Sequence, residues 1–373
     1  MNDSSPPACR LLPVLLIGLL LLARPGLAAP PPAQTEPEVR FEVQPEHPML
    51  APNASVEIRI RAIDKQGPRA SVAVTARLID KAAGPATPLV PDAAGWATYR
   101  FQATQAQAVG LHAIELRHPG SGVTRKVYID LLTAAEHEAF TEAAARVKLP
   151  SLPAHLLFIG DSLTDLYRGQ NYVDKLGFWL TKRFGSQVTV KNVGVGGDTI
   201  TRVWQRMSGD PKSYRLAMYD NLFVPRPTHA FLFLGHNDSK LSSISDYRTP
   251  LVATDVFASE YRQAIRKIQA QTKARVIVLS ATSSVYEITE NTAAKMRAKG
   301  KAHNLFGKPE ALEQFNALAQ AAASDCHAEY LDVYEPTRRH PNKPALFTAD
   351  GVHVSNLGNR LLALEILKYL GRE

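Results

Sequence analysis

Leu156-Leu157-Phe158-Ile159-Gly160-Asp161-Ser162-Leu163-Thr164-Asp165 is the stretch on which the fold turns. Its first half is an unbroken apolar run, the mark of a strand buried on both faces; a half-exposed strand would alternate. Its second half switches to small and polar residues and should open the first helix, ahead of a helical pattern over 173–183. The same succession repeats downstream. Apolar runs at 188–193, 230–235, 276–281 and 329–333 are interleaved with helical patterns at 256–273 and 311–323, and an amphipathic pattern closes the chain at about 355–370. This alternation predicts an α/β unit with a mostly parallel sheet. Ligands of such sheets sit beyond the carboxyl ends of the strands, and the unusual residue clusters of this half fall at those ends.

Ser162 stands at the first of these ends, near a helix N-terminus whose free N–H groups and dipole favour developing negative charge. A serine hydroxyl is a weak nucleophile until a base takes its proton; without one, Asp161 or Ser162 is simply a helix cap. Asn192-Val193-Gly194-Val195-Gly196-Gly197-Asp198-Thr199 follows the second strand. A dinucleotide-binding turn needs glycine where Thr199 stands, so that reading fails. The glycines still allow close approach of backbone N–H groups to a ligand, with an ordinary strand-to-helix turn as the alternative. Leu234-Gly235-His236-Asn237-Asp238 follows the third strand. The Asn237 amide is a candidate oxyanion donor, although Asn and Asp are also common turn residues; His236 reads as a packing or supporting group. Asp350-Gly351-Val352-His353 precedes the last helix. Its spacing lets a carboxylate in a turn reach the imidazole, fix its tautomer and support the imidazolium, or lets Asp350 merely cap.

In this order and at these strand ends, the four clusters resemble the SGNH (GDSL-type) hydrolases. Gly160-Asp161-Ser162-Leu163 resembles their nucleophile block, Gly197 their oxyanion glycine, Asn237 their oxyanion asparagine, and Asp350 with His353 their D-x-x-H pair. The match spans about 155–373. The resemblance implies a flavodoxin-like three-layer fold and a serine esterase working through an acyl-enzyme. Its catalytic residues are then Ser162, Asp350 and His353. Its oxyanion donors are Ser162, Gly197 and Asn237, with Asp161, His236 and Asp238 supporting them from behind. No metal or cofactor is implied. Members of the family hydrolyse esters, often O-acetyl groups on sugars, sometimes lipids or thioesters. The Gly-His-Asn-Asp form is similar to that of rhamnogalacturonan acetylesterases. Ala281-Thr282-Ser283-Ser284 lacks the prolines common in the family, and the stretch to about Pro309 reads as an insertion; both departures bear on substrate. The α/β-hydrolase alternative requires a Gly-x-Ser-x-Gly turn, and no serine here has one.

Upstream the period changes to two. Val56-Glu57-Ile58-Arg59-Ile60-Arg61, Val72-Ala73-Val74-Thr75-Ala76-Arg77-Leu78 and His112-Ala113-Ile114-Glu115-Leu116-Arg117 alternate, and 96–101 and 123–131 look similar. Turn clusters such as Pro119-Gly120-Ser121-Gly122 separate them. About seven short strands predict a small all-β sandwich, immunoglobulin-like in size, over 39–132. An Ala- and Glu-rich helical linker, 133–153, joins it to the hydrolase unit, 154–373. The sandwich is expected to be a separable module without catalytic residues. Before it, 29–38 is a Pro-rich linker and 1–28 a secretory signal: Arg10, an apolar run over 11–23, then small residues at Gly26 and Ala28. That run is shorter than the about 20 residues a membrane span needs.

The 373 residues carry 43 Lys and Arg against 35 Asp and Glu, a formal charge of +8. The cations are scattered and no nucleic-acid motif appears, so the charge reads as a solvated basic surface with at most long-range steering toward acidic polysaccharide. Cys9 lies in the presumed signal, leaving Cys326 without an internal disulfide partner. With the signal, this points to a bacterial periplasmic or secreted protein. The histidines show no metal-ligand spacing. The expected partner is a carbohydrate or other acyl-ester substrate, with no nucleic acid and no stable membrane insertion; oligomeric state is open. The rival readings are a lysophospholipase, thioesterase or arylesterase, and a non-catalytic glycan-binding or adhesion protein with a decayed hydrolase domain.

Overall fold

In the computed structural model, residues 39–372 are described, apart from 65–66, 69–73, 80–83 and 105–106. The expected signal, Cys9 and the Pro-rich linker lie outside the described residues, as do Val72 and Ala73 of the second alternating run. Among the described residues no helix is long and apolar enough to cross a membrane.

The period-2 region forms strands β1 (Val39–Gln44), β2 (Met49–Leu50), β3 (Ser55–Asp64), β4 (Gly67–Pro68), β5 (Val74–Ile79), β6 (Thr87–Leu89), β7 (Ala97–Gln102), β8 (Gly110–Arg117) and β9 (Thr124–Leu131). One sheet gathers β1, β4 and β7 around β3; the other runs β2-β9-β8-β5-β6. Alternation sets the faces. In β3, Ile58, Ile60 and Ala62 are buried while Glu57 and Arg59 stay exposed. The inner faces of both sheets close on one core that includes Val43, Ile60, Phe101, Ile114, Leu116 and Ile129. Trp96, in contrast, is flanked on its ring by the Arg59 and Arg61 guanidinium groups, 4.7 and 4.5 Å from its centroid.

Helix α1 (Ala134–Arg146) begins at Thr133, whose side chain and that of Glu136 cap each other's backbone N–H groups. This helix of the expected helical linker packs as part of a layer. Phe140 is buried and stacks on Trp179 at 5.5 Å.

The remaining chain forms β10 (Ala154–Gly160), α2 (Tyr172–Phe184), β11 (Val188–Asn192), α3 (Ile200–Ser208), β12 (His229–Phe233), β13 (Leu241–Ser242), α4 (Thr254–Thr272), β14 (Arg275–Leu279), α5 (Tyr286–Ala298), β15 (Asn304–Leu305), α6 (Pro309–Asp325), β16 (Glu329–Leu331), α7 (Tyr334–Arg338) and α8 (Asn356–Leu370). The long sheet is parallel throughout, in the order β11-β10-β12-β14-β16. In the sheet's own sequence that is 2-1-3-4-5, the flavodoxin order, whose switch point lies between its first and third strands. The unbroken apolar runs now have their reason. Leu156, Phe158, Phe231, Phe233, Ile277 and Leu279 face the layer of α1, α2 and α8. Leu157, Ile159, Ala230, Leu232, Val276 and Val278 face that of α3, α4 and α6.

One expectation needs correction. Ser162 does not open a helix. Residues 162–164 are a turn, closed by Thr164 N–H donating to Asp161 O, and α2 starts only at Tyr172 under the Asn171 cap. The cause is local capping. The Asp161 carboxylate takes Leu163 N–H and closes the turn, and the Asp165 carboxylate takes Tyr167 N–H at the start of a single 3-10 turn, Leu166–Arg168, so no α-helix begins here. The N-terminus of α2 is therefore not what polarises Ser162.

The sandwich meets the hydrolase unit through buried charge. Asp130 of β9 accepts from Lys175 Nζ of α2 at 2.7 Å, from Arg360 of α8 through Nε at 3.0 Å and through Nη2, and from Asn356 Nδ2 at 2.8 Å. Asp130, Lys175 and Arg360 are all buried. Met49 and Leu132 join the apolar core beneath α1, α2 and α8.

Candidate active site

Ser162 sits half-buried just past the end of β10. Its hydroxyl donates to His353 Nε2 at 2.8 Å, and His353 Nδ1 donates to Asp350 Oδ2 at 2.6 Å. The two partners come from a loop 191 residues away in the chain. That loop is rigidly built. Asp350 Oδ1 accepts from Thr348 Oγ1 and from the backbone N–H groups of Val352 and His353, each at 2.9 Å. Gly351 adopts φ +77°, and a Cβ there would lie 2.7 Å from Val285 O, so only glycine fits. The His353 bond and the turn N–H groups outweigh burial and hold Asp350 at about 2, well below the usual carboxylate range. Asp350 thus both caps the turn and orients the imidazole, where the sequence reading had posed these as alternatives.

Gly197 and Asn237 line the same cleft as Ser162 and His353. Gly197 has φ +81°, a left-handed conformation open to glycine. Its loop is tied at two points. Asp165 Oδ2 takes Gly196 N–H at 2.9 Å, and Asp238 Oδ1 takes Ile200 N–H, at the first turn of α3, at 2.8 Å. The Asn237 amide is nearly buried. Its Oδ1 accepts from Lys240 Nζ at 3.2 Å, and its Nδ2 donates one long bond, 3.4 Å, to Asp161 Oδ2, which leaves its second N–H for an oxyanion. The three supporting residues are buried behind this face. Burial pushes Asp161 up to about 6 and Asp238 up to about 7. Burial pushes His236 down to about 4, so it is a neutral imidazole near neutral pH, and its Nε2 pairs with Thr282 Oγ1 at 2.9 Å. It packs and does not serve as a base.

Sequence reasoning missed part of the site. Arg168, Lys240, Thr289, Thr292, His303, Asn304 and Phe306 complete the walls of a cleft of about 380 Å³. Most of them belong to the stretch read only as an insertion, which folds as α5 and β15; β15 pairs antiparallel with β13. Nothing local marks them, because the wall exists only once Leu241 and Leu305 meet across that ladder. Lys240, three residues past Asn237, could have been noticed by spacing. The proline-free turn is held by side chains instead: Asn316 Oδ1 takes Ala281 N–H, Thr337 Oγ1 takes Ser283 N–H, and Ser284 Oγ donates to Gly307 O. Among the described residues no His, Cys, Asp and Glu group could hold a metal ion.

A family model described as GDSL-like lipase/acylhydrolase matches residues 158–361, more than half of the chain. No curated protein matches. Among solved structures, the chain is similar to the lipase/acylhydrolase from Enterococcus faecalis: 19% identity, 58% of this chain and 95% of that one, TM-score 0.44. It is also similar to a carbohydrate acetylesterase family member from Sinorhizobium meliloti: 15% identity, 56% and 93% covered, TM-score 0.35. A likeness to the alpha-2-macroglobulin of Salmonella covers 26% of this chain and 6% of that one, at 12% identity and TM-score 0.23. The family match covers all four strand-end clusters, from Ser162 to His353, and with it the chain belongs to the GDSL-like lipase/acylhydrolase family of SGNH hydrolases, an esterase class of enzyme.

Proposed function

We propose that this chain is an exported serine esterase that removes O-acetyl groups from a carbohydrate. The observation that carries the reading is the Ser162–His353–Asp350 relay of 2.8 and 2.6 Å, opening into one cleft with Gly197 and Asn237. His353 Nε2 takes the Ser162 proton as Oγ attacks the ester carbonyl, and Asp350 stabilises the imidazolium. The oxyanion meets the backbone N–H groups of Ser162 and Gly197 and the Asn237 amide. Collapse expels the alcohol, which takes its proton from His353. Water, deprotonated by the same imidazole, then attacks the acyl-enzyme and releases acid and free Ser162. The intact relay speaks against a decayed, non-catalytic domain.

The cleft volume of about 380 Å³ and the hydroxyl- and amide-bearing wall of Thr289, Thr292 and Asn304 favour a small acyl group on a hydroxylated alcohol. Its apolar members, Leu163, Phe306 and Val352, keep an aryl or longer acyl ester as the second reading. Export to the bacterial periplasm or medium, with cleavage near Ala28, rests on the leader pattern of residues 1–28. Ser162→Ala should abolish turnover of p-nitrophenyl acetate while circular dichroism stays unchanged, a loss of several orders of magnitude; a folded variant with wild-type turnover refutes the assignment. Acetate release from acetylated polysaccharide, run beside a chain-length series of nitrophenyl esters, separates the two substrate readings.

A further inference from the structure

Several of the buried and half-buried cations of this fold are answered by acids: Arg61 by Glu42, Arg77 by Glu115, Arg206 by Asp198, Arg275 by Glu329, and Arg360 by Asp130 and Glu136. The cleft is different. Arg168, exposed just after the Ser162 turn, lines it from one side and makes no salt bridge among the described residues, acting on Asp161 only as a nearby charge. Lys240 lines it from the Asn237 side. It is half-buried, its Nζ reaches the neutral Asn237 Oδ1 and the Phe306 ring at 5.1 Å, and it too makes no salt bridge among the described residues. Arg202 stands close by, giving Nη1 to Gly197 O at 3.2 Å. Burial first, and then the Arg202 charge, push Lys240 below its ordinary value, while the charges of Asp238 and Asp161 offset this only in part. The nearby acids are already committed: Asp350 to His353 and its turn, Asp165 to Gly196 and Tyr167, Asp161 to Leu163, and Asp238 to Ile200.

Resting on the esterase reading above, we propose that the cleft selects an O-acylated sugar bearing its own carboxylate, which Arg168 and Lys240 hold beside the ester. A carboxylate supplied by the substrate would give these two side chains the salt bridges that Asp161 and Asp238, buried behind the cleft face, do not make. The cleft volume of about 380 Å³ and the Thr289, Thr292 and Asn304 wall fit a sugar ring. An anionic lysolipid would need a longer apolar trough. Arg168 acts here as a specificity-determining residue, because a guanidinium takes a carboxylate through two parallel bonds.

The test uses a matched pair of substrates, O-acetylated methyl glucuronide and O-acetylated methyl glucoside, which differ in a carboxylate. The readout is the ratio of their kcat/KM values, with p-nitrophenyl acetate as a third arm and lysophosphatidylglycerol as a fourth. The wild type should prefer the glucuronide by about tenfold to a hundredfold, the scale of one hydrogen bond to a charged group. Arg168→Gln should lower the ratio by about tenfold. Arg168→Lys should restore it in part, and raised salt should shrink it. Arg146→Gln, remote and paired with Glu142, should leave the ratio unchanged. Hydrolysis of both sugars at equal kcat/KM overturns the proposal and leaves the esterase standing. So does a preference indifferent to Arg168→Gln, or one for the lysolipid. Failure to cleave any of the four esters overturns both.

Discussion

Replacing Asp130 by Ala in the full chain tests whether the sandwich is a passenger. Asp130 lies on the last sandwich strand, 2% exposed, and is the shared anion of Lys175, 1% exposed, and Arg360, 5% exposed. Burial alone would raise its carboxyl; the Arg360 hydrogen bonds and the Lys175 charge outweigh that and hold it below the ordinary value. Removing one partner of a buried ion pair costs about 3–5 kcal/mol, because a charge is left without compensation. Arg360 keeps Glu136 at 2.9 Å and the Leu131 carbonyl at 2.8 Å, whereas Lys175 loses its hydrogen-bonded anion and keeps only the more distant charge of Asp174, so the loss falls mainly on Lys175. Spread over the unfolding entropy of a chain this long, that corresponds to a fall in thermal midpoint of roughly 4–7 °C. The site should feel it too. Asn356, three residues past His353, gives its amide to Asp130 at 2.8 Å at the start of α8. The assay is a calorimetric melt with kcat on p-nitrophenyl acetate at 25 °C. Lys175→Met added to Asp130→Ala should recover part of the midpoint. Because the folded-state pKa of Asp130 is lowered, its contribution is present above about pH 4 and lost as pH falls through the lowered value. An Asp130→Ala protein with wild-type midpoint and wild-type kcat would refute the reasoning. The same argument bears on a truncation beginning near Thr133. It removes Asp130 and Met49 together, so the separable module expected from the sequence should yield a hydrolase unit of reduced stability.

Asn237→Ala should lower kcat by about 10²- to 10³-fold with a smaller change in KM, since an oxyanion donor acts in the transition state; an equal rise in KM with kcat intact would place Asn237 in ground-state binding instead. Asp161 and Asp238 titrate the other way from Asp350. Burial raises them to about 6 and about 7, so the stability they contribute is complete below about pH 4 and is lost as pH rises through those values. Thermal midpoints measured from pH 4 to 8 should therefore decline less in Asp238→Asn than in the wild type, and parallel curves would contradict the raised value.

What the amino-acid sequence determined by itself was whatever is written in short-range pattern. Two-sided burial of β10, β12 and β14 shows as unbroken apolar runs, and one-sided burial of β3 and β8 as alternation. The Asp350–His353 pair was legible for the same reason, because three residues of turn suffice to close a 2.6 Å contact. Turn chemistry at Asp161 and Asp165 was equally local, yet a helix was expected there, since an acidic residue before an apolar one signals a helix cap as readily as a self-capped turn. Tertiary structure decided the rest. Ser162 meets His353 across 191 residues, and Asp130 meets Arg360 across 230, because the 2-1-3-4-5 strand order and the packing of α8 on α2 bring those ends together. The insertion becomes a cleft wall because two-residue strands β13 and β15 find each other. Contacts of this kind leave no periodicity behind: a lysine that pairs with an aspartate from another module has the same sequence neighbours as one that faces water, and only the assembled fold tells Lys175, bridged to buried Asp130, from Lys240, which lines the cleft without a salt bridge among the described residues.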